Sequence, residues 1–188
     1  MDRRTVIQNV ALLLGGSIVG GSIFTLQGCK SEPKVNKLFT QAQIDLMDEI
    51  AETILPKTKT PGAKEAKVGA FMSIMVIDCY TEKDQKVFMD GLETINKLSK
   101  DKNNAEFMKA TPEQRLALLV ALDKEQKEYQ KTKKNDEPSH YFRMMKELTL
   151  TGFFTSKEGA EQALRYVAVP GRYDGSYPYK KGDRAFAT

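Results

Sequence analysis

The side chains in this sequence best placed to do chemistry lie near its start. Arg3 and Arg4 stand directly before an apolar run, MDRRTVIQNVALLLGGSIVGGSIFTLQGC, which stops at Cys29. An arginine pair followed closely by an apolar residue is the recognition mark of the twin-arginine export route, which carries proteins that have already folded. Cys29 follows Leu26-Gln27-Gly28, the aliphatic, variable and small residues of a bacterial lipobox. In that setting the cysteine sulfur receives lipid, and several acyl chains together anchor a protein stably to a membrane. Elsewhere the chemistry is sparse. The single histidine, His140, falls at an expected helix start and reads as a surface or capping residue. The carboxylate pairs Asp48-Glu49 and Asp136-Glu137 are adjacent in sequence, point apart on a helix and read as surface charge. No P-loop, dinucleotide fingerprint, nucleophile elbow, Cys/His zinc cluster or haem-attachment motif occurs. No catalytic, cofactor-binding or metal site is therefore assigned to this chain.

These observations fit together. Residues 1–29 have the basic start, apolar core and small-residue end of a secretory signal. The alternative is an uncleaved membrane anchor of adequate length. Against it, the glycines and serines between Gly15 and Ser22 make a poor permanent helix. A twin-arginine signal implies that something must fold before export. A domain with no visible cofactor motif would then be exporting a partner that holds one.

The formal net charge is +4. It falls to about +3 once residues 1–29, with Arg3, Arg4 and Asp2, are removed. So mild a charge argues against a dedicated nucleic-acid binder. Of the two cysteines, Cys79 is left alone if Cys29 carries lipid, and its apolar helical surroundings suggest a buried, inert thiol.

The elements that position these groups are helices. Residues 30–38 form a polar tether. Residues 39–168 then carry one helix signal after another. Thr40 and Gln43 offer a capping box, Phe39 and Ile44 a hydrophobic staple, and Pro56 a stop. Val68, Phe71, Met72, Met75, Val76 and Cys79 trace one face of a second helix. Thr81 with Asp84 opens a third, with Val87, Phe88, Gly91, Leu92, Ile95 and Leu98 as its face, and KDKNN breaks it. Thr111-Pro112-x-Gln114 opens a helix whose face is Leu116, Leu119, Val120 and Leu122. Another begins at Ser139 with Phe142, Met145 and Leu148, and Thr155 with Glu158 opens a last one carrying Ala160, Ala163, Leu164 and Val167. The methionines at 72, 75, 144 and 145 read as core filling. The fold class is all-α, an irregular bundle of about six or seven helices with an extended aromatic C-terminal arm.

That arm, residues 169–188, holds glycines, prolines, three tyrosines and a phenylalanine. It cannot continue a helix, and its aromatic content is too high for an ordinary disordered tail. Tyrosines and arginines on such an arm suit either a partner surface or a wrap around its own bundle. The partner reading takes in Gly152, Phe153 and Phe154, together with Pro170, Arg172, Tyr173, Tyr177, Tyr179 and Phe186.

Several stretches, in order, resemble the gluconate 2-dehydrogenase subunit 3 family. They are Glu49-Ile50-Ala51-Glu52-Thr53-Ile54-Leu55-Pro56 and Thr60-Pro61-Gly62-Ala63, then Tyr141-Phe142. Leu148-Thr149-x-x-Gly152-Phe153-Phe154-Thr155-Ser156-x-x-Gly159 follows, then Tyr166, Val169-Pro170-Gly171-Arg172-Tyr173 and Arg184-Ala185-Phe186. Phe186 stands where the resemblance leads one to expect tryptophan. The resemblance implies a non-catalytic small subunit. Its large partner would be an FAD flavoprotein of the glucose-methanol-choline oxidoreductase type that oxidises a sugar hydroxyl, and a c-type cytochrome with haem c can take the electrons. The small subunit would escort the folded flavoprotein through the twin-arginine route. With lipid on Cys29, it would hold the pair at a membrane facing the periplasm. The rival readings are a free-standing helical envelope lipoprotein that binds another protein, and an independent enzyme, for which no acid, base or nucleophile constellation is visible.

Overall fold

The computed structural model describes residues 38–169 and 171–187. Arg3, Arg4, Cys29, Pro170 and the tether up to residue 37 lie outside the described residues. The described chain runs α1 (Gln41–Ile54), α2 (Val68–Cys79), α3 (Glu82–Asn103), a 3-10 turn (Phe107–Lys109), α4 (Pro112–Thr132), α5 (Tyr141–Thr155) and a π-helical turn (Glu158–Ala163). Two short strands complete it, β1 (Arg165–Tyr166) and β2 (Phe186–Ala187). Among the described residues the domain is mostly helical, with five α-helices, the 3-10 and π-helical turns and one two-residue parallel strand pair.

The helix starts follow their local chemistry. Thr40 caps α1 and Thr111 caps α4, each through a full capping box, with Pro112 in the first turn of α4. Thr81 accepts the Asp84 N–H at the start of α3. Asn104 ends α3 in the left-handed conformation (φ 53°), with Lys100 and Lys102 in the last turn where the helix dipole favours cations. α2 lacks a cap from its own chain neighbour, Lys67. Its Gly69 N–H instead donates to the Asp48 carboxylate of α1 at 2.7 Å.

α5 is the central helix and packs against all four other α-helices. Its Phe142, Met144, Met145, Leu148 and Phe153 join Phe88, Leu92 and Ile95 of α3, Met72 and Val76 of α2, and Met47 and Ile50 of α1 in one core. Phe88, Phe107 and Phe142 are fully enclosed. Each contributes on the order of 2–3 kcal/mol through removal of its ring from water. The helices cross closely where glycine permits it: a Cβ on Gly91 of α3 would lie 2.5 Å from Tyr141 Cβ of α5.

Several expectations are corrected. α5 starts at Tyr141 rather than Ser139, with His140 as its cap. On α4 the buried face is Leu118, Leu119, Leu122 and Gln126, while Leu116 is 53% exposed and Val120 also faces outward. Arg115 lies on this same inward face, where its guanidinium donates to the carbonyls of Phe107 and Met108. Cys79 is exposed, not buried. The inward face of α2 steps through residues 69, 72, 73 and 76 towards half-buried Tyr80, so Cys79 falls beside that line. The expected last helix from Thr155 is only the π-turn. Thr155 ends α5, Leu164 closes the turn in an extended conformation, and Val167 lies beyond it. Ser156 and Gly159 accommodate the stop. The Ser156 hydroxyl donates to the Phe153 carbonyl and accepts the Gly159 N–H. A Cβ on Gly159 would sit 1.9 Å from the Phe153 carbonyl oxygen. The chain after this junction pairs as β1 with β2, a strand contact too short to show as an alternating pattern.

Candidate partner-binding surface

From Leu164 onward the chain leaves the bundle, loops out and returns on itself. β1 and β2 pair in parallel, Arg165 opposite Phe186 and Tyr166 opposite Ala187. The Arg165 N–H donates to the Ala185 carbonyl at 2.8 Å. The Arg165 guanidinium lies 3.9 Å from the Phe186 ring centre and 5.1 Å from that of Tyr177, and the two rings meet edge to face. Arg184 donates to the carbonyls of Glu161 and Gln162 at 3.1 and 2.8 Å, satisfying acceptors that the π-turn leaves open. The closing Arg184-Ala185-Phe186 therefore clasps the arm to the end of the bundle.

Between these ends the arm makes two tight turns. Asp174 accepts the Ser176 N–H in the first. Asp183 accepts the Lys180 N–H in the second, where Gly182 holds the φ of +98° that the turn requires. The aromatics point outward. Tyr173 is 96% and Tyr179 74% exposed, and Tyr177 and Phe186 are about half-exposed beside Arg165. Tyr166 and Val169 add exposed apolar surface next to them. Arg172 is also exposed. The expectation is not met at Gly152 and Phe153, which lie inside this chain's own core. Phe71 of α2 packs against Gly152 so closely that a Cβ there would lie 2.6 Å from its ring. Phe154 is the one member of that trio with appreciable exposure. Arg165, Tyr166 and Val169 were not singled out by the sequence, since only the folded arm places Arg165 over two rings remote in sequence.

The other chemical groups serve the fold. Asp48 and Glu49, expected on the surface, are both partly buried. Glu49 pairs with Arg115 of α4 and with Lys64. Burial alone would raise the Glu49 carboxyl, but Lys64 and Arg115 outweigh it and hold it below the usual carboxylate range. For Asp48 burial prevails over the Gly69 N–H, and its carboxyl sits above the usual range. The Glu52 carboxylate accepts the backbone N–H groups of Lys57 and Lys64, folding the loop back onto α1. Gly62 leaves the space for that carboxylate: a Cβ there would be 2.3 Å from its oxygens. Glu49 to Pro56 and Thr60 to Ala63, two of the resembling stretches, are thus one packed unit.

His140 acts as a cap, its Nδ1 accepting the Phe142 N–H at 3.2 Å, with its ring stacked on Tyr141 and 9% exposed. Burial pushes the Tyr141 hydroxyl up to about 12. Among the described residues no three His, Cys, Asp or Glu side chains group to hold a metal ion. No helix among them is long and apolar enough to cross a membrane.

The sequence model of the family described as Gluconate 2-dehydrogenase subunit 3 matches residues 41–171. The chain belongs to that family. Membership makes this protein a small subunit of a dehydrogenase complex and implies association with the other dehydrogenase subunits. The matched range takes in the whole helical domain and stops where the arm begins its loop. No curated protein and no solved structure matches the chain.

Proposed function

We propose that this gluconate 2-dehydrogenase subunit 3 protein is the non-catalytic small subunit of an FAD-dependent sugar or sugar-acid dehydrogenase. It escorts the folded flavoprotein through the twin-arginine route and then tethers it in the periplasm through lipid on Cys29. Family membership carries this reading. The exposed tyrosines of the arm support it, since a surface of that kind suits a large partner. Arg3-Arg4 and the lipobox at Cys29 support the export and tethering steps. The polar groups of the described domain agree with a scaffold role, for Asp48, Glu49, Glu52 and His140 are each engaged in holding helices and loops in place.

The test follows the flavoprotein. In the native host, Arg3→Lys with Arg4→Lys strands both this chain and the flavoprotein in the cytoplasm, and dehydrogenase activity disappears from the periplasmic side. Mass spectrometry of the exported wild type finds lipid on Cys29. Normal export of both proteins from the double-lysine variant would overturn the escort reading. An unmodified Cys29 would overturn the tether.

A further inference from the structure

The arm's charges are arranged as unevenly as its aromatics. Residues 171–187 hold four cations, Arg172, Lys180, Lys181 and Arg184, against two anions, Asp174 and Asp183. Both anions accept backbone N–H groups in the arm's own turns, and Arg184 is taken up by the π-turn carbonyls. Arg172, Lys180 and Lys181 remain exposed, and no arm side chain joins an ion pair among the described residues. Tyr173 and Tyr179 stand among them with most of their surface in water. Elsewhere Lys57 and Lys64 of the loop between α1 and α2, and Lys100, Lys127, Lys131 and Lys146 on the helices, each meet a carboxylate within 3.0 Å.

We infer that the arm is a preformed docking loop, clasped by Arg165 and Arg184, and that its lysines and tyrosines fit a carboxylate-lined surface with apolar recesses on the partner dehydrogenase subunit. The inference rests on the small-subunit role proposed above and adds the chemistry of the surface recognised. Clasping the loop at both ends lowers the ordering cost of binding. Unpaired cations flanking exposed rings select for an acidic partner and speed encounter with it. Apolar recesses take up the tyrosine rings, which serve well as interface anchors.

The experiment uses the full-length chain and the flavoprotein subunit purified from their native complex, with rebinding measured between about 50 and about 500 mM NaCl. Affinity falls about tenfold or more over that range. Lys180→Glu with Lys181→Glu weakens binding about tenfold at low salt and flattens the salt dependence, with the melting temperature unchanged. Arg165→Leu weakens binding and speeds tryptic cleavage at Arg172 and Lys180 in the free chain. If deletion of 172–188 abolishes binding while salt and charge reversal have no effect, the acidic-surface inference fails and the small-subunit role stands. If the deleted chain binds as well as the wild type, the interface lies on the helices and the docking loop is refuted. If no flavoprotein associates with the full chain, the proposed function itself falls. If Arg165→Leu leaves cleavage unchanged, the clasp is wrong.

Discussion

Replacing Gly69 with alanine tests the central crossing of α1 and α2. An alanine in a helix normally gains about 1 kcal/mol over glycine. Here the added Cβ would lie 2.6 Å from the Ile44 carbonyl oxygen and 2.8 Å from Asp48. The nearest atom belongs to the backbone, so no side-chain rotation relieves the clash. Restoring an ordinary contact moves the helices apart by roughly 0.8 Å. That separation stretches the 2.7 Å bond from the Gly69 N–H to Asp48 beyond hydrogen-bonding range. It strands a partly buried carboxylate and leaves a first-turn N–H of α2 unmatched. Overpacking costs about 1–3 kcal/mol and loss of a hydrogen bond to a charged group about 1.5–3 kcal/mol. After the propensity gain, the net loss is about 3 kcal/mol. For a domain of this size the melting temperature should drop by about 6–12 °C. Far-UV circular dichroism on the exported domain would measure it. A melting temperature equal to or above that of the wild type would refute the close-packed crossing, because propensity alone would then set the sign.

Asp123 accepts from Lys127 and Lys146 at 2.7 and 2.6 Å, which hold its carboxyl at about 2. Its stabilisation is therefore present above the ordinary carboxylate range and lost as pH falls through about 2. Asp123→Asn should melt about 2–4 °C lower at neutral pH, and the gap should close in acid; a gap constant from pH 7 to pH 2 would contradict the pairing. Arg115→Leu removes one partner of Glu49 and the donors to the Phe107 and Met108 carbonyls, and should cost about 2–4 kcal/mol in urea unfolding, against less than about 0.5 kcal/mol if Arg115 were an ordinary surface residue. Cys79 should react with a thiol reagent in the native protein as fast as in urea, since it is exposed, whereas a buried thiol would react only after unfolding.

Much of the scaffold was legible because its causes are local. A capping box needs residues three apart, so Thr40 with Gln43 and Thr111 with Gln114 declared their helices in advance. The periodic apolar residues of α3 and α5 likewise marked their inner faces. The family resemblance was legible too, spread over stretches that turn out to be packing devices such as Glu52 with Gly62 and Ser156 with Gly159. What the sequence could not decide depends on contacts between distant segments. Arg115 looks like any surface arginine until Glu49, far away in the chain, comes beside it on the inner side of α4, the side away from Leu116 and Val120. Asp48 and Glu49 look solvated until α2 and α4 close over them. The arm shows the same division. Composition alone established that residues 169–188 are aromatic and non-helical. Only the tertiary structure decided that they form a clasped loop, because a two-residue strand pair and a guanidinium over two touching rings leave no periodic trace in the sequence and exist only once Arg165 and Phe186 are brought together.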